Sequence, residues 1–238
     1  MKLTIIIPAY NEEETIAELI STVKKVNLGE IEKEIIVVDD GSKDKTREIL
    51  RITKDIKFIE HEKNLGKGGA VKTGIHHSTG DLIIIQDADL EYNPNEYLLC
   101  IQPIIEKKTN VVYGSRFLSQ KQKKINLNFF KKHENAYRMA YFGGRLLTIL
   151  ANILYQANIT DEATCYKTFD AQFLKSIKIN GNRFEWEPEI LAKVRKRKEK
   201  IIEVPISYNP RTFEQGKKIN WKDGLHAIWT LVKYRFVD

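Results

Sequence analysis

The stretch Asp81–Pro94, DLIIIQDADLEYNP, decides how this chain is read. Leu82–Asp87 carries a run of branched aliphatic side chains, too short for a helix and without polar alternation. That is the pattern of a strand buried on both faces. The run ends in carboxylates at Asp87, Asp89 and Glu91. Side chains alternate along an extended chain, so these three converge on one point if the chain stays extended. Hard oxygen donors at a strand end suit Mg2+ or Mn2+ held together with the phosphates of a substrate. Asn93, Pro94 and Glu96 then supply a cap, a first-turn proline and an N3 carboxylate for a helix to about Lys107.

Similar apolar runs flank this stretch. Leu3–Pro8, Glu34–Asp39, Ile56–Glu60 and Val111–Tyr113 read as further buried strands, with helix signals between them. Asn11 and Glu14 have the spacing of a capping box, opening a helix to about Lys25. Alternation of this kind implies an α/β fold with a mostly parallel central sheet and helices on both faces. Ligands of such sheets bind at the carboxyl ends of the strands, where every polar motif of this chain falls. Beyond Arg116 the pattern loosens. Leu118–Lys132 has five lysines, no acid and the pair Phe129-Phe130, and reads as a loop. Helices are expected over Glu134–Gln156, bent at Gly143-Gly144, and over Pro188–Arg197, with a strand at Lys200–Ser207. Lys222–Phe236 places Leu225, Ile228, Trp229, Val232 and Phe236 on one helical face, expected to pack on the domain.

Charge divides the 238 residues unevenly. Residues 1–118 hold 16 Lys or Arg against 20 Asp or Glu, whereas residues 119–238 hold 23 against 12. Two parts of one globular unit follow: an acidic half (1–118) and a basic half (119–238), the latter suited to a second anion or carrying only a solvated lysine-rich surface. Two cysteines exclude a disulfide scaffold and favour a reducing, cytoplasmic compartment. The longest charge-free apolar stretch, Leu146–Thr160, is 15 residues, short of a membrane span.

Two further motifs sit at strand ends. Asp39-Asp40-Gly41-Ser42 is turn chemistry, with Ser42 able to cap a helix, yet its adjacent carboxylates can also accept hydrogen bonds from a nucleobase or ribose. Asn64-Leu65-Gly66-Lys67-Gly68-Gly69 precedes a helix. Its N–H groups and Lys67 can face a diphosphate, or its glycines can serve close packing. It matches neither a P-loop nor a dinucleotide fingerprint.

Taken in order, IPAYNEEETI, VVDDGS, NLGKGGAV, DADLEYNP and YGSRF resemble the family-2 glycosyltransferases of GT-A fold. Within them, the resemblance is to polyprenyl-phosphate sugar transferases of the dolichol-phosphate mannose synthase type. It is strong over residues 3–118 and looser through DEATCYKTF (161–169) and EVPISYNPRTFEQGKK (203–218). The resemblance implies that Pro8, Ala9, Tyr10 and Glu12 cradle the base and ribose of a nucleotide-diphosphate sugar. Asp39 and Asp40 would contact the base, with Lys67, Asp87, Ala88 and Asp89 around the diphosphate. Asp87, Asp89 and Glu91 would take the metal, Glu91 standing where related synthases often have Gln. Arg116, Arg145 and Arg211 would meet phosphate near the reacting centre, and Asp161 would lie at the acceptor end.

An inverting transfer is implied. A hydroxyl acceptor needs a carboxylate to take its proton, for which Asp161 or Glu162 stands ready. A lipid phosphate is already anionic and needs cations instead: Arg116, Arg145, Arg211, Lys217 and Lys218. The reading is therefore a metal-dependent transferase acting on a polyprenyl phosphate. Its expected place is the cytoplasm, in peripheral contact with an anionic membrane through the basic loop, without nucleic acid. Two alternatives stand beside it: transfer to a saccharide or lipid-linked oligosaccharide hydroxyl, and a non-catalytic basic protein binding membrane or nucleic acid.

Overall fold

The computed structural model describes residues 1–118, 136–209 and 221–237, with side chains of the helices that begin at 136 and 221 described from 142 and from 222. Most of the basic loop, with Phe129-Phe130, and Arg211, Lys217 and Lys218 lie outside the described residues.

One seven-stranded sheet organises the chain, in the order β3-β2-β1-β4-β6-β5-β7. Its strands are β1 (Lys2–Ala9), β2 (Glu32–Asp39), β3 (Lys57–Glu60), β4 (Leu82–Ile85), β5 (Val111–Ser115), β6 (Lys167–Asp170) and β7 (Ile201–Pro205). All neighbours pair parallel except β6, which runs antiparallel between β4 and β5. The strands expected from apolar runs are all present, because Ile5–Ile7, Ile36–Val38 and Ile83–Ile85 are fully buried and satisfy both faces of the sheet. β6 and β7 belong to the basic half, so the sheet itself crosses the charge boundary at residue 118.

Eight described helices cover the sheet: α1 (Ile16–Lys25), α2 (Thr46–Ile52), α3 (Lys67–His77), α4 (Tyr97–Ile105), α5 (Ala136–Tyr155), α6 (Ala171–Lys175), α7 (Trp186–Lys196) and α8 (Trp221–Phe236). None of the described helices is long and apolar enough to cross a membrane. A 3-10 turn, Pro94–Glu96, leads into α4, and Asn93 caps it by accepting from the Asn95 N–H at 3.1 Å.

Local detail departs from the expected pattern at α1 and α8. α1 begins at Ile16, not behind Asn11, which adopts φ 51° and bridges two loops by accepting from Lys43 N–H and donating to Ser42 Oγ. Ser42 is thereby occupied and does not cap α2. α5 runs unbroken through Gly143-Gly144, whose neighbours on the helix keep it continuous; the Gly144 carbonyl accepts from Thr148 Oγ1. In α8 three of the five stripe residues are exposed, Leu225 54%, Trp229 65% and Phe236 82%, whereas Ile228 and Val232 are half-buried. The helix packs instead through Ala227, Thr230, Leu231 and Tyr234, half a turn away, and Tyr155 Oη of α5 donates to the Leu231 carbonyl.

Asn93→Ala removes the cap ahead of α4 and is expected to lower stability by about 1 kcal/mol. The check is a urea unfolding curve with a lower midpoint and an unchanged slope.

Candidate functional site

The loops leaving the carboxyl ends of β1, β2, β4 and β5 meet on one side of the sheet. Pro8 and Ala9 close β1 in register with Val38 and Asp39 of β2, and the Ala9 carbonyl accepts from Asp40 N–H at 2.8 Å. Tyr10 is half-buried at the rim. Glu12 is turned inward: its N–H donates to Thr46 Oγ1 and its carboxylate accepts from Thr15 Oγ1, both at 2.8 Å.

The acidic pair is buried and engaged by the protein itself. Asp39 accepts from Arg47 Nε at 3.0 Å and from Ser42 N–H at 3.2 Å. Asp40 accepts from the N–H groups of Leu65 (2.9 Å) and Gly66 (2.7 Å), and His61 Nδ1 lies 2.8 Å from it. The pair therefore ties neighbouring loops together, Asp40 by pinning the glycine loop to the end of β2.

That loop serves close packing of backbone on backbone. Gly66 has φ 92°, and a Cβ there would meet the Asn182 carbonyl at 2.5 Å. Gly68 and Gly69 donate their N–H groups to the Arg183 and Asn182 carbonyls at 3.2 and 2.8 Å. These donors face the 181–183 segment rather than a ligand, and the cation of the motif, Lys67, is left to do the electrostatic work.

Lys67 Nζ lies 2.8 Å from Asp87 Oδ1 and 2.9 Å from Glu187 Oε1 on α7. Burial opposes its charge, but Asp87 and Glu187 outweigh it and hold the ammonium well above the usual lysine range. Burial likewise opposes ionisation of Asp87, and Lys67 overrides it, leaving the carboxyl below its ordinary value. Lys167, fully buried on β6, is held by the carbonyls of Glu162 and Thr164 and stands 3.8 Å from Glu187.

The carboxylates after β4 do not gather as alternation suggests. Ala88 and Asp89 form a turn and Leu90 adopts φ 60°, so the chain leaves the extended path. Asp89 accepts from Glu91 N–H at 3.2 Å, whereas Glu91 swings to Tyr208, whose hydroxyl donates to it at 2.8 Å. Among the described residues no three His, Cys, Asp or Glu side chains cluster as a metal site. Asp87 and Asp89, both half-buried, still fit a partial site of hard donors that phosphate oxygens and water would complete.

Beneath this turn lies a residue the sequence did not single out. Gln86 is fully buried; its Oε1 accepts from the hydroxyls of Tyr97 and Tyr166, both at 2.7 Å, while its Nε2 donates to the Asp87 carbonyl at 2.9 Å. The only trace in the sequence was an amide at the last place of an isoleucine run.

A second cluster forms at the end of β5. Arg116 donates through Nε and Nη2 to the two oxygens of Asp161, each at 2.7 Å, and its N–H reaches the same carboxylate at 3.1 Å. The Tyr208 ring lies 4.9 Å from the guanidinium. Asp161 is thus a clamp on Arg116. Burial lowers the charge of Arg116 less than Tyr92 and Asp161 support it, so its pKa rises well above the usual arginine value. Glu203 of β7 fixes the loop from behind by accepting from Thr160 and Asp161 N–H at 2.7 and 2.9 Å. Arg145 of α5 reaches the same loop, donating to the Thr160 carbonyl at 3.3 Å, with the Phe117 ring 5.3 Å from its guanidinium. The structure therefore brings Arg116, Arg145 and Asp161 together.

Glu162 is the unusual acid. Burial pushes its carboxyl up to about 7, against the pull of Lys167, and its Oε1 has no hydrogen-bond partner. A raised folded-state pKa adds stability that is complete below the unfolded value and is lost as pH rises through 7. Relative to Glu162→Gln, the native protein should lose of order 3 kcal/mol between pH 4.5 and pH 8. Urea unfolding of both proteins across that range checks it.

With this geometry in place, comparison with known proteins is informative. The sequence model described as Glycosyl transferase family 2 matches residues 4–178. A UDP-N-acetylglucosamine--dolichyl-phosphate N-acetylglucosaminyltransferase of Methanococcus voltae is 30% identical over 96% of this chain and 94% of its own length. A dolichyl-phosphate beta-glucosyltransferase of Trichomonas vaginalis is 30% identical over 87% of this chain, and a dolichol-phosphate mannosyltransferase of Pyrococcus furiosus 30% over 91%. The chain spans 65% of the Trichomonas relative and 59% of the Pyrococcus one. Glucosyl-3-phosphoglycerate synthase of Mycobacterium tuberculosis, crystallised with Mn2+, UDP and glucosyl-3-phosphoglycerate, shares the fold. It superposes over all of this chain and 81% of its own with a TM-score of 0.74 at 17% identity.

Proposed function

The chain belongs to glycosyl transferase family 2 and is a glycosyltransferase of GT-A fold, and from that premise we propose that it transfers a sugar from a nucleotide-diphosphate sugar to a polyprenyl phosphate, with inversion. Family membership sets aside the non-catalytic binding protein. The observation that carries the proposal is the pairing of two differently charged clusters on one face: carboxylates after β4, and a clamped arginine after β5. Relatives named for dolichyl-phosphate transfer support the acceptor class.

Asp87 and Asp89 would hold a divalent cation, Mg2+ or Mn2+, which when bound supplies charge stabilisation to the leaving diphosphate. Lys67 adds a cation at the same end. Pro8, Ala9 and Tyr10 would line the approach of the base and ribose, beside Asp39 and Asp40. The acceptor phosphate oxygen attacks the anomeric carbon as the bond to the diphosphate breaks, giving a sugar-phospho-lipid and a nucleoside diphosphate. Its nucleophile is already anionic near pH 7, so no base is required. Asp161 then serves as a positioning residue, presenting the guanidinium of Arg116 to the acceptor phosphate, with Arg145 beside it. Arg211, Lys217 and Lys218 remain proposed contacts to the same anion.

A lipid acceptor also gives the outward apolar stripes a use. Leu146, Ile149 and Ile153 of α5 and Leu225, Trp229 and Phe236 of α8 are all exposed, and the two helices carry five Arg or Lys against one Asp. Exposed apolar side chains on helices that carry more cations than acids suit the interface of an anionic bilayer, giving peripheral attachment.

The test crosses several radiolabelled nucleotide sugars with polyprenyl phosphate and counts label in the organic phase. Label is expected there with Mg2+ or Mn2+, reduced by about 10²–10³-fold in Asp87→Asn. Transfer to a water-soluble saccharide with none to lipid would favour the hydroxyl acceptor instead.

A further inference from the structure

We propose that Lys67 is the resident counter-cation of Asp87, that a divalent metal must displace it, and that Glu187 retains it when it leaves. The proposal rests on reading Asp87 and Asp89 as the metal-holding carboxylates, and adds an order to that site: metal and nucleotide bind as a coupled pair.

Three observations carry it. First, Lys67 Nζ contacts both oxygens of Asp87, at 2.8 and 3.1 Å, so a metal ion bonding this carboxylate takes an oxygen that the ammonium already holds. Two cations on one carboxylate in a largely buried setting repel each other strongly. Second, the ammonium has somewhere to go. Glu187 Oε1 lies 2.9 Å away and its other oxygen is 3.8 Å from Lys167, so Glu187 keeps a charged partner on either side of the exchange. Third, only the side chain has to move. Lys67 opens α3 directly behind Gly66, and the N–H groups of Gly68 and Gly69 are tied to the 182–183 backbone, which fixes the base of the arm.

Charge balance then sets the order of binding. Lys67 and Lys167 stand against Asp87, Asp89 and Glu187, a sum of one negative charge. A dication arriving alone reverses that to one positive charge, beside a displaced ammonium. A nucleoside diphosphate arriving with it cancels that excess and offers phosphate oxygens to Lys67. Metal binding should therefore be weak alone and strong with nucleotide, with Lys67 as the origin of the difference.

The experiment is Mn2+ titration followed by the EPR signal of the free ion, on the full chain, without nucleotide and with saturating UDP or GDP. Wild type is expected to bind Mn2+ at least tenfold more tightly with one of these nucleotides. Lys67→Met and Lys67→Gln, each checked for native circular dichroism, should bind Mn2+ alone at least tenfold more tightly than wild type. That gain should vanish when nucleotide is present. Variants that bind Mn2+ alone no better than wild type overturn the proposal. So does a gain of equal size with and without nucleotide, which is a simple field effect. Failure of the underlying reading looks different: neither wild type nor the variants bind Mn2+ with any nucleotide, or Asp87→Asn leaves Mn2+ binding unchanged.

Discussion

The ammonium of Lys67 between Asp87 and Glu187 joins three pieces of chain that are remote in sequence: the start of α3, the end of β4 and the first turn of α7. Each charge alone would be costly at such depth, and losing one partner of a buried pair generally costs about 3–5 kcal/mol. The surrounding structure is arranged to keep all three in place. Gln86 and its two tyrosines hold the backbone of Asp87 from below, Asp40 pins the loop ahead of Lys67, and the 181–183 segment, just before α7, closes on the glycines.

The two clusters on this face follow different electrostatic logic. After β4, two lysines are shared among carboxylates, an arrangement proposed to respond to an incoming cation and anion together. After β5, a single arginine is held by one carboxylate through three donors, a rigid fork suited to one planar or tetrahedral anion. A nucleotide sugar with its metal and a lipid phosphate are the partners proposed for these two arrangements. The acidic and basic halves of the chain thus meet in one sheet, with β6 of the basic half inserted beside β4.

Much of this was legible in the sequence. Runs such as LTIII and LIII specify buried strands because nothing polar interrupts them, and the motifs at their ends mark the ligand side. β6 escaped notice because KTFD is four residues long and begins with a lysine, a residue that pattern reading assigns to the surface; here its ammonium is satisfied by carbonyls and Glu187. Glu187 escaped for a related reason, since its meaning is a contact made 120 residues away. Alternation alone did not foresee that one left-handed residue, Leu90, redirects the chain between Asp89 and Glu91. The outward stripe of α8 shows the limit of periodicity: it finds an apolar face but not which side of the helix the domain occupies.

Hydrogen–deuterium exchange would test the two-cluster division most directly. Nucleoside diphosphate with Mn2+ is expected to protect residues 64–69 and 86–92. A short-chain polyprenyl phosphate should instead protect residues 115–117 and 160–163, each footprint forming without the other. Protection of both regions by either ligand alone, or of neither by the nucleotide with metal, would contradict it.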